Sequence, residues 1–130
     1  FDLLDTFSKT ALFHTCSFVF RREALSTPKW LNKVKSGDMA LFSIVAQHGS
    51  LKLLEGNMSV YRKVETGVTS SLKEKDYHKS RLRLISYFKS YFKDYTFQLN
   101  LIEEYHNQEL TRLKKKQLKT FAKSLFKKNG

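Results

Sequence analysis

The sequence predicts a helix-rich α/β fold in which a small sheet precedes two long helices. Beyond residue 72, apolar side chains recur at intervals of three and four, which is the spacing of amphipathic helices. Before that point, short β-branched and aromatic runs stand between shorter helical stretches. A chain of 130 residues that is 41% hydrophobic can bury a core of its own. We therefore divide it into residues 1–71 and a helical extension, 72–130.

The amino-terminal part predicts a helix, a strand and a second helix. Apolar residues three and four apart predict a short helix over residues 1–12, and the β-branched and aromatic run at 14–22 predicts a buried strand. Cys16 lies in that run, so we expect a buried thiol, and the sole cysteine excludes an intrachain disulfide. Pro28 fits the first turn of a short helix that continues through Leu31.

A turn at Ser36-Gly37 leads into a strongly apolar run that predicts a nearly buried helix. Asp38 then falls at the amino end of this helix, where unpaired amide groups and the helix dipole favour a carboxylate. Gly49 ends the helix. Two extended segments, 51–54 and 58–62, follow around a glycine-containing turn, and we expect them at a sheet edge.

The helical extension carries two apolar stripes, which indicate a pair of helices. A break near residues 94–96 would let the second helix fold back on the first as a hairpin. We expect the pair to cover the sheet, because aromatic stripes at this spacing usually face a core. The first stripe comprises Leu84, Ile85, Phe88, Tyr91, Phe92 and Tyr95, and the second comprises Leu101, Ile102, Tyr105, Leu110, Leu113, Phe121 and Leu125.

The chain carries a net charge of +12, and most of this excess lies in its second part. Residues 72–130 hold fifteen Lys and Arg against six Asp and Glu, whereas residues 1–71 hold nine against six. The segment 111–128 combines basic and apolar residues without an acidic one, which predicts a basic amphipathic helix. Three interpretations stay open: a solvated helix face, docking on anionic lipid head groups, and binding of nucleic acid.

Recognisable catalytic and metal-binding motifs are scarce. The histidines at positions 14, 48, 78 and 106 have no partner at metal-ligand spacing, which argues against a zinc site. Neither a phosphate-binding glycine loop nor a nucleophile elbow occurs. The residues alone leave Asp38 as the one candidate site, with helix capping as the alternative role.

Five fragments within the first part of the chain match a known enzyme family in order and spacing. They are His14–Arg22, Pro28–Leu31, Ser36–Leu41, Ala46–Gly49 and Tyr61–Thr69. In these fragments the chain resembles the carboxy-terminal, acceptor-side portion of a family 2 glycosyltransferase. The resemblance implies a GT-A fold with a small mixed sheet. It also implies that the whole protein transfers a sugar, with inversion, from a nucleotide-sugar donor to a glycan or lipid-linked acceptor hydroxyl.

The resemblance assigns roles to four residues. Asp38 falls where these enzymes keep the carboxylate that takes the proton from the acceptor hydroxyl, which implies a general base. Thr15 and Ser17 lie on the segment that resembles the strand beneath the acceptor site, and they would face sugar hydroxyls. Arg62 resembles the arginine of the family's Tyr-Arg motif near the donor diphosphate, with an ordinary surface salt bridge as the alternative.

The family's metal contacts are largely missing from this sequence. Val64 stands where the family commonly has a histidine that helps hold the divalent metal, and valine cannot bind metal. The Asp-x-Asp motif of the donor-binding half also has no counterpart, so we expect that half upstream of Phe1. The resemblance implies Mg²⁺ or Mn²⁺ in the full-length enzyme, with ligands mostly outside these residues. The isolated chain is expected to be inactive and to self-associate as a homo-oligomer through the surface that the missing half would cover.

Composition and resemblance together predict a cytoplasmic protein that is peripheral at the inner face of the membrane through residues 111–128. No apolar run is long enough to span a bilayer, and the amino terminus lacks the features of a secretory signal. The rival interpretation is a non-enzymatic basic helical module that binds nucleic acid or a partner protein. That interpretation leaves the fragments Ser36–Asp38 and Tyr61–Arg62 unexplained.

Overall fold

A computed structural model describes residues 1–10, 12–60, 62 and 73–127 of the chain, with side chains as far as Lys123. The α-helices of these residues are α1 (Leu3–Thr6), α2 (Gly37–Ala46), α3 (Glu74–Tyr91) and α4 (Thr96–Lys127). Short 3₁₀ turns lie between them, at Thr15–Ser17, Arg22–Ala24, Leu31–Lys33 and Lys93–Tyr95.

The predicted small mixed sheet is absent from the described residues, which contain no β-strand. The α/β prediction and the GT-A architecture that it supported are therefore wrong for this structure. Phe18 does have an extended backbone, with φ −101° and ψ 120°, but Val19 beside it is 93% exposed. Leu51 exchanges two backbone hydrogen bonds with Phe1, at 2.7 and 2.9 Å, and this pairing does not extend into a ladder. Extended segments are present, but a sheet also needs neighbouring strands that continue the hydrogen bonding.

Helix α1 is a single turn and is much shorter than the helix predicted over residues 1–12. Asp2 and Asp5 close its start with a capping box, in which each carboxylate accepts a hydrogen bond from the other residue's amide. The Thr6 hydroxyl is buried and donates to the Ser43 hydroxyl at 2.9 Å. This buried hydrogen bond fixes α1 against α2.

Helix α2 is buried on nearly every side, as its apolar sequence predicted. Ala40 and Ile44 are fully buried, and Phe42 is only 2% exposed. The Phe42 ring contacts Phe13 and Phe18, with ring centroids 4.3 and 4.8 Å apart. The run that was predicted to form a strand, 14–22, thus contacts α2 through the Phe18 ring and not through backbone pairing.

Helices α3 and α4 form the predicted antiparallel pair, joined by the turn at Lys93–Tyr95. The first apolar stripe faces the core, because its main members are at most 4% exposed: Leu84, Ile85, Phe88 and Phe92. They pack with Leu99 of α4 and with residues of α1 and α2, which take the place of the predicted sheet. One core therefore includes side chains from both 1–71 and 72–130, and the division between these two parts stays a prediction.

Helix α4 is much longer than the helix it packs against. At 1.5 Å per residue, its 32 residues span about 48 Å, whereas the 18 residues of α3 span about 27 Å. Arg112 bonds to Glu74, the first residue of α3, at 2.7 Å, and so marks where the pairing ends. Residues 114–127 continue past this point, and every side chain from Lys114 to Lys123 is exposed. We call residues 114–127 the projecting end.

The helices of the described residues include none that is long and apolar enough to cross a bilayer.

Candidate functional site

Asp38 lies in the first turn of α2, as predicted, and is half-buried. Its Oδ1 accepts a hydrogen bond of 2.8 Å from the amide of Met39. The side chain of Ser36, the residue before the helix, makes no capping bond of its own. The carboxylate is therefore held by the free amides at the start of a buried helix, which suits both a capping residue and a positioned base.

A buried arginine lies close to Asp38, and sequence reasoning missed it. Arg81 of α3 is only 3% exposed, donates to the backbone oxygen of Ser8 at 2.6 Å and also contacts the Met39 sulfur. Burial lowers the pKa of Arg81, while Tyr77 and Asp38 oppose that shift by electrostatic attraction. Its position in the sequence could have indicated that it is buried, because Arg81 stands three residues before Leu84, on the core-facing stripe of α3.

The other predicted site residues do not gather around Asp38. Thr15 and Ser17 lie in an exposed 3₁₀ turn, not on a strand, and the Ser17 hydroxyl donates to the backbone oxygen of His14 at 2.8 Å. Arg62 is exposed as well. Among the described residues, no hydrogen bond or ion pair joins any of the three to Asp38. Cys16, expected to be buried, is exposed in the same turn because its neighbours form no strand.

The predicted metal-contact segment lies outside the described residues. Tyr61, Val64 and Glu65 all belong to it. The expected Mg²⁺ or Mn²⁺ and the consequence of a valine at position 64 therefore stay predictions.

Two buried histidines face each other between α3 and α4. The Nδ1 atoms of His78 and His106 are 2.8 Å apart, so one ring donates its proton and the other accepts it. Burial, the positive charge of Arg81 and the neighbouring His78 together lower the pKa of His106 to about 4, although Glu109 opposes the shift. His106 is thus held neutral in the core, where a charge would be costly.

The pairing escaped sequence analysis because the two histidines are 28 residues apart. His78 lies seven residues before Ile85, and His106 lies seven after Leu99. Both therefore continue the core-facing stripes, which is the signal that could have found them.

Glu74, His78 and Glu109 form a group at metal-ligand separation, which the spacing of the histidines in the sequence did not reveal. One ligand atom from each lies within 4.8 Å of the others. The Arg112 guanidinium, however, bonds to Glu74 at 2.7 Å and to Glu109 at 2.8 Å. Arginine thus already supplies the positive charge between these carboxylates, and a metal ion would have to displace it.

One surface depression, about 640 Å³, runs along the polar face of α4 from Asn100 to Lys115, and another, about 290 Å³, lies where α1 meets the end of α2. Asp38 lines neither of them.

Comparison of the chain with protein-family models, with curated proteins and with solved structures found no match.

Proposed function

We propose that this chain is the acceptor-side part of an inverting glycosyltransferase, which moves a sugar from a nucleotide-sugar donor to a glycan or lipid-linked hydroxyl. The proposal is carried by Asp38, which stands in the first turn of a nearly buried helix, inside an ordered set of sequence fragments resembling that enzyme class. The donor-binding half, with its metal and diphosphate contacts, is assigned to sequence outside these 130 residues.

The support from geometry is the way in which α2 fixes the carboxylate. Met39 and Phe42 hold the helix in the interior, which fixes the backbone from which the Asp38 side chain extends. Among the described residues, the Met39 amide is the one hydrogen-bond donor to Asp38, and it engages Oδ1. Oδ2 is then the oxygen assigned to the acceptor hydroxyl.

In the proposed reaction, Asp38 takes the hydroxyl proton as the acceptor oxygen attacks the anomeric carbon. The new bond from carbon to the acceptor oxygen forms as the bond to the diphosphate breaks, and the diphosphate leaves with the electron pair. A positioned base of this kind contributes about 10²- to 10⁴-fold in rate. Thr15, Ser17 and Arg62 keep their proposed binding roles only as predictions, because the structure does not bring them to Asp38.

The test compares Asp38→Asn with Asp76→Asn in the full-length enzyme. Asp76 is a suitable control because it also lies in the first turn of a helix, α3, but is exposed. Asparagine keeps the size and the hydrogen-bond acceptor, so each change removes chiefly a charge, worth about 0.3–1 kcal/mol at a helix start. We expect Asp38→Asn to lower transfer at least 100-fold, and Asp76→Asn to leave it unchanged.

The measurement is nucleoside diphosphate release from UDP-glucose, UDP-galactose, UDP-N-acetylglucosamine and GDP-mannose, with a glycolipid extract as the acceptor source. Donor binding should be the same in both variants, because the proposed base does not hold the donor. Undiminished transfer by a folded Asp38→Asn variant would exclude Asp38 as the base and leave helix capping as its role.

A further inference from the structure

The projecting end of α4 continues beyond the region in which α4 pairs with α3, and its described side chains, Lys114 to Lys123, are exposed. We propose that it docks on an anionic membrane surface, lying in the plane of the lipid head groups as an amphipathic helix. The proposal goes beyond sugar transfer and stands independently of it, since it concerns a different surface of the molecule.

The first argument is exposure. Leu118 is 68% exposed and Phe121 is 63% exposed, although both are large apolar side chains. The pairing with α3 ends at Arg112, so the regular helix continues without support from its earlier partner. Isolated helices are marginal in water and are stabilised when an apolar face is covered. Leu118 would therefore be stabilised by an apolar environment that the described core does not provide.

The second argument is how charge and apolar surface divide around the helix. Successive residues in an α-helix turn by 100°, which places Lys116, Lys119 and Lys123 along one face. Leu118 and Phe121 fall on the opposite face by the same spacing. These three lysines face away from the apolar stripe, which is the arrangement of helices that lie at a membrane interface. Lys114 stands four residues before Leu118 and so begins the apolar face, where its long side chain can reach the head groups from the end of the stripe.

The third argument is charge complementarity, which selects the partner. Five exposed lysines, at positions 114, 115, 116, 119 and 123, occur with no acidic residue from Thr111 to the end of α4. An apolar groove on a protein would cover Leu118 but would pair with the lysines only if acidic residues surrounded it. A nucleic acid would pair with the lysines but would leave the apolar stripe in water. An anionic bilayer satisfies both, because phosphate groups meet the lysines and acyl chains meet the stripe.

The test measures co-sedimentation of the chain with two kinds of vesicle, one of phosphatidylcholine alone and one of phosphatidylcholine mixed with phosphatidylglycerol. We expect binding only to the second kind, weakening as salt is added, because exposed charges are screened. Tight binding to neither kind, or equal binding to both, would overturn the proposal.

Two charge variants test whether vesicle binding depends on the lysines of the projecting end or on the net charge of the whole chain. The test variant changes Lys116, Lys119 and Lys123 to glutamine, and the control variant changes the equally exposed Lys29, Lys33 and Lys35 to glutamine. Each lysine near the surface is worth roughly fivefold in partitioning, so the test variant should bind about 100-fold more weakly. Since both variants lose the same charge, an equal effect would mean that attraction is spread over the whole protein.

A second pair of variants distinguishes binding of a bilayer from binding of nucleic acid. Leu118→Gln removes apolar surface at the projecting end, and Leu101→Gln does so on the part of α4 that pairs with α3, where Leu101 is 54% exposed. We expect Leu118→Gln to weaken vesicle binding roughly tenfold and Leu101→Gln to leave it unchanged. Tight binding of duplex DNA, lost with the lysines but kept in Leu118→Gln, would instead identify a nucleic-acid surface.

The outcome is independent of the proposed enzyme. Asp38→Asn should bind vesicles as well as the unchanged chain does, because Asp38 lies on α2 and outside the projecting end. An unchanged protein that transfers sugar without binding vesicles would contradict only the docking proposal, and one that binds vesicles without transferring sugar would contradict only the proposed function.

Discussion

Helix α4 has two parts that share one regular backbone but have opposite surroundings. Between Thr96 and Leu113 it packs against α3, with Leu99 and His106 fully buried and Glu103 paired with Lys89. In the projecting end, every side chain described is exposed. The core therefore stabilises only the first part, while the second relies on residues of high helix propensity such as lysine, leucine and glutamine. The first part of α4 therefore contributes to the stability of the fold, whereas the projecting end leaves its surface exposed for contact with another molecule.

The largest expected effect comes from truncating one leucine in each part. Leu99→Ala should lower the free energy of unfolding by about 2–5 kcal/mol, because it opens a cavity in the core. Leu118→Ala should change it by less than about 0.5 kcal/mol, because this side chain is 68% exposed. Urea denaturation followed by circular dichroism measures both values. Similar losses in the two variants would show that the projecting end also packs on the body of the protein.

A smaller effect is expected from acid, and it should arise in the paired part of α4. The folded-state pKa of His106 is lowered to about 4, so the unfolded chain binds more protons between pH 6.5 and 4. Stability from this group is present above pH 6.5 and is lost as the pH falls toward 4, at up to about 1.4 kcal/mol per pH unit. The groups acting on His106 are Arg81, His78, Glu109 and Lys9.

Urea denaturation midpoints at several pH values measure how the free energy of unfolding changes with pH. Two variants test whether this dependence arises from His106. His106→Gln should flatten the dependence between pH 6.5 and 4, whereas His48→Gln should not, because His48 is exposed. Carboxylates titrate in the same range, so the informative quantity is the difference between each variant and the unchanged chain. An unchanged slope in His106→Gln would contradict the lowered pKa of His106.

The smallest effect is expected at the boundary between the two parts, where Arg112 bridges Glu74 and Glu109. Added zinc should not raise the melting temperature of the unchanged chain, because the guanidinium already bonds to both carboxylates. Arg112→Ala frees them beside His78, so zinc should raise the melting temperature of that variant measurably. Lys115→Ala serves as the control. A zinc response in the unchanged chain would mean that metal displaces the arginine.

The helix pair could be predicted from the sequence because its information is local. Leu84, Ile85 and Phe88 repeat at helical spacing, and a turn separates them from α4. The sheet could not be predicted in this way. Phe18 and Phe20 alternate with an exposed Val19, as they would in a strand, and Phe18 is extended. Whether such a segment joins a ladder depends on a distant partner, and the Phe18 ring instead packs on Phe42.

The candidate site was predictable only in part for the same reason. Asp38 was placed correctly because glycine and a following apolar run mark a helix start locally. Arg81 was missed, since its approach to Asp38 depends on how α3 packs across α2. Thr15 and Ser17 were misplaced because their expected orientation relied on a strand that the structure does not form.

The exposed Cys16 affects how the chain should be handled. Since it is the only cysteine, a single maleimide dye will label one known position in a surface turn, without competing sites. The same thiol can also link two chains when reductant is omitted, because air oxidation joins accessible sulfurs. Dimers seen by gel filtration should therefore be compared with and without dithiothreitol before being taken as native self-association.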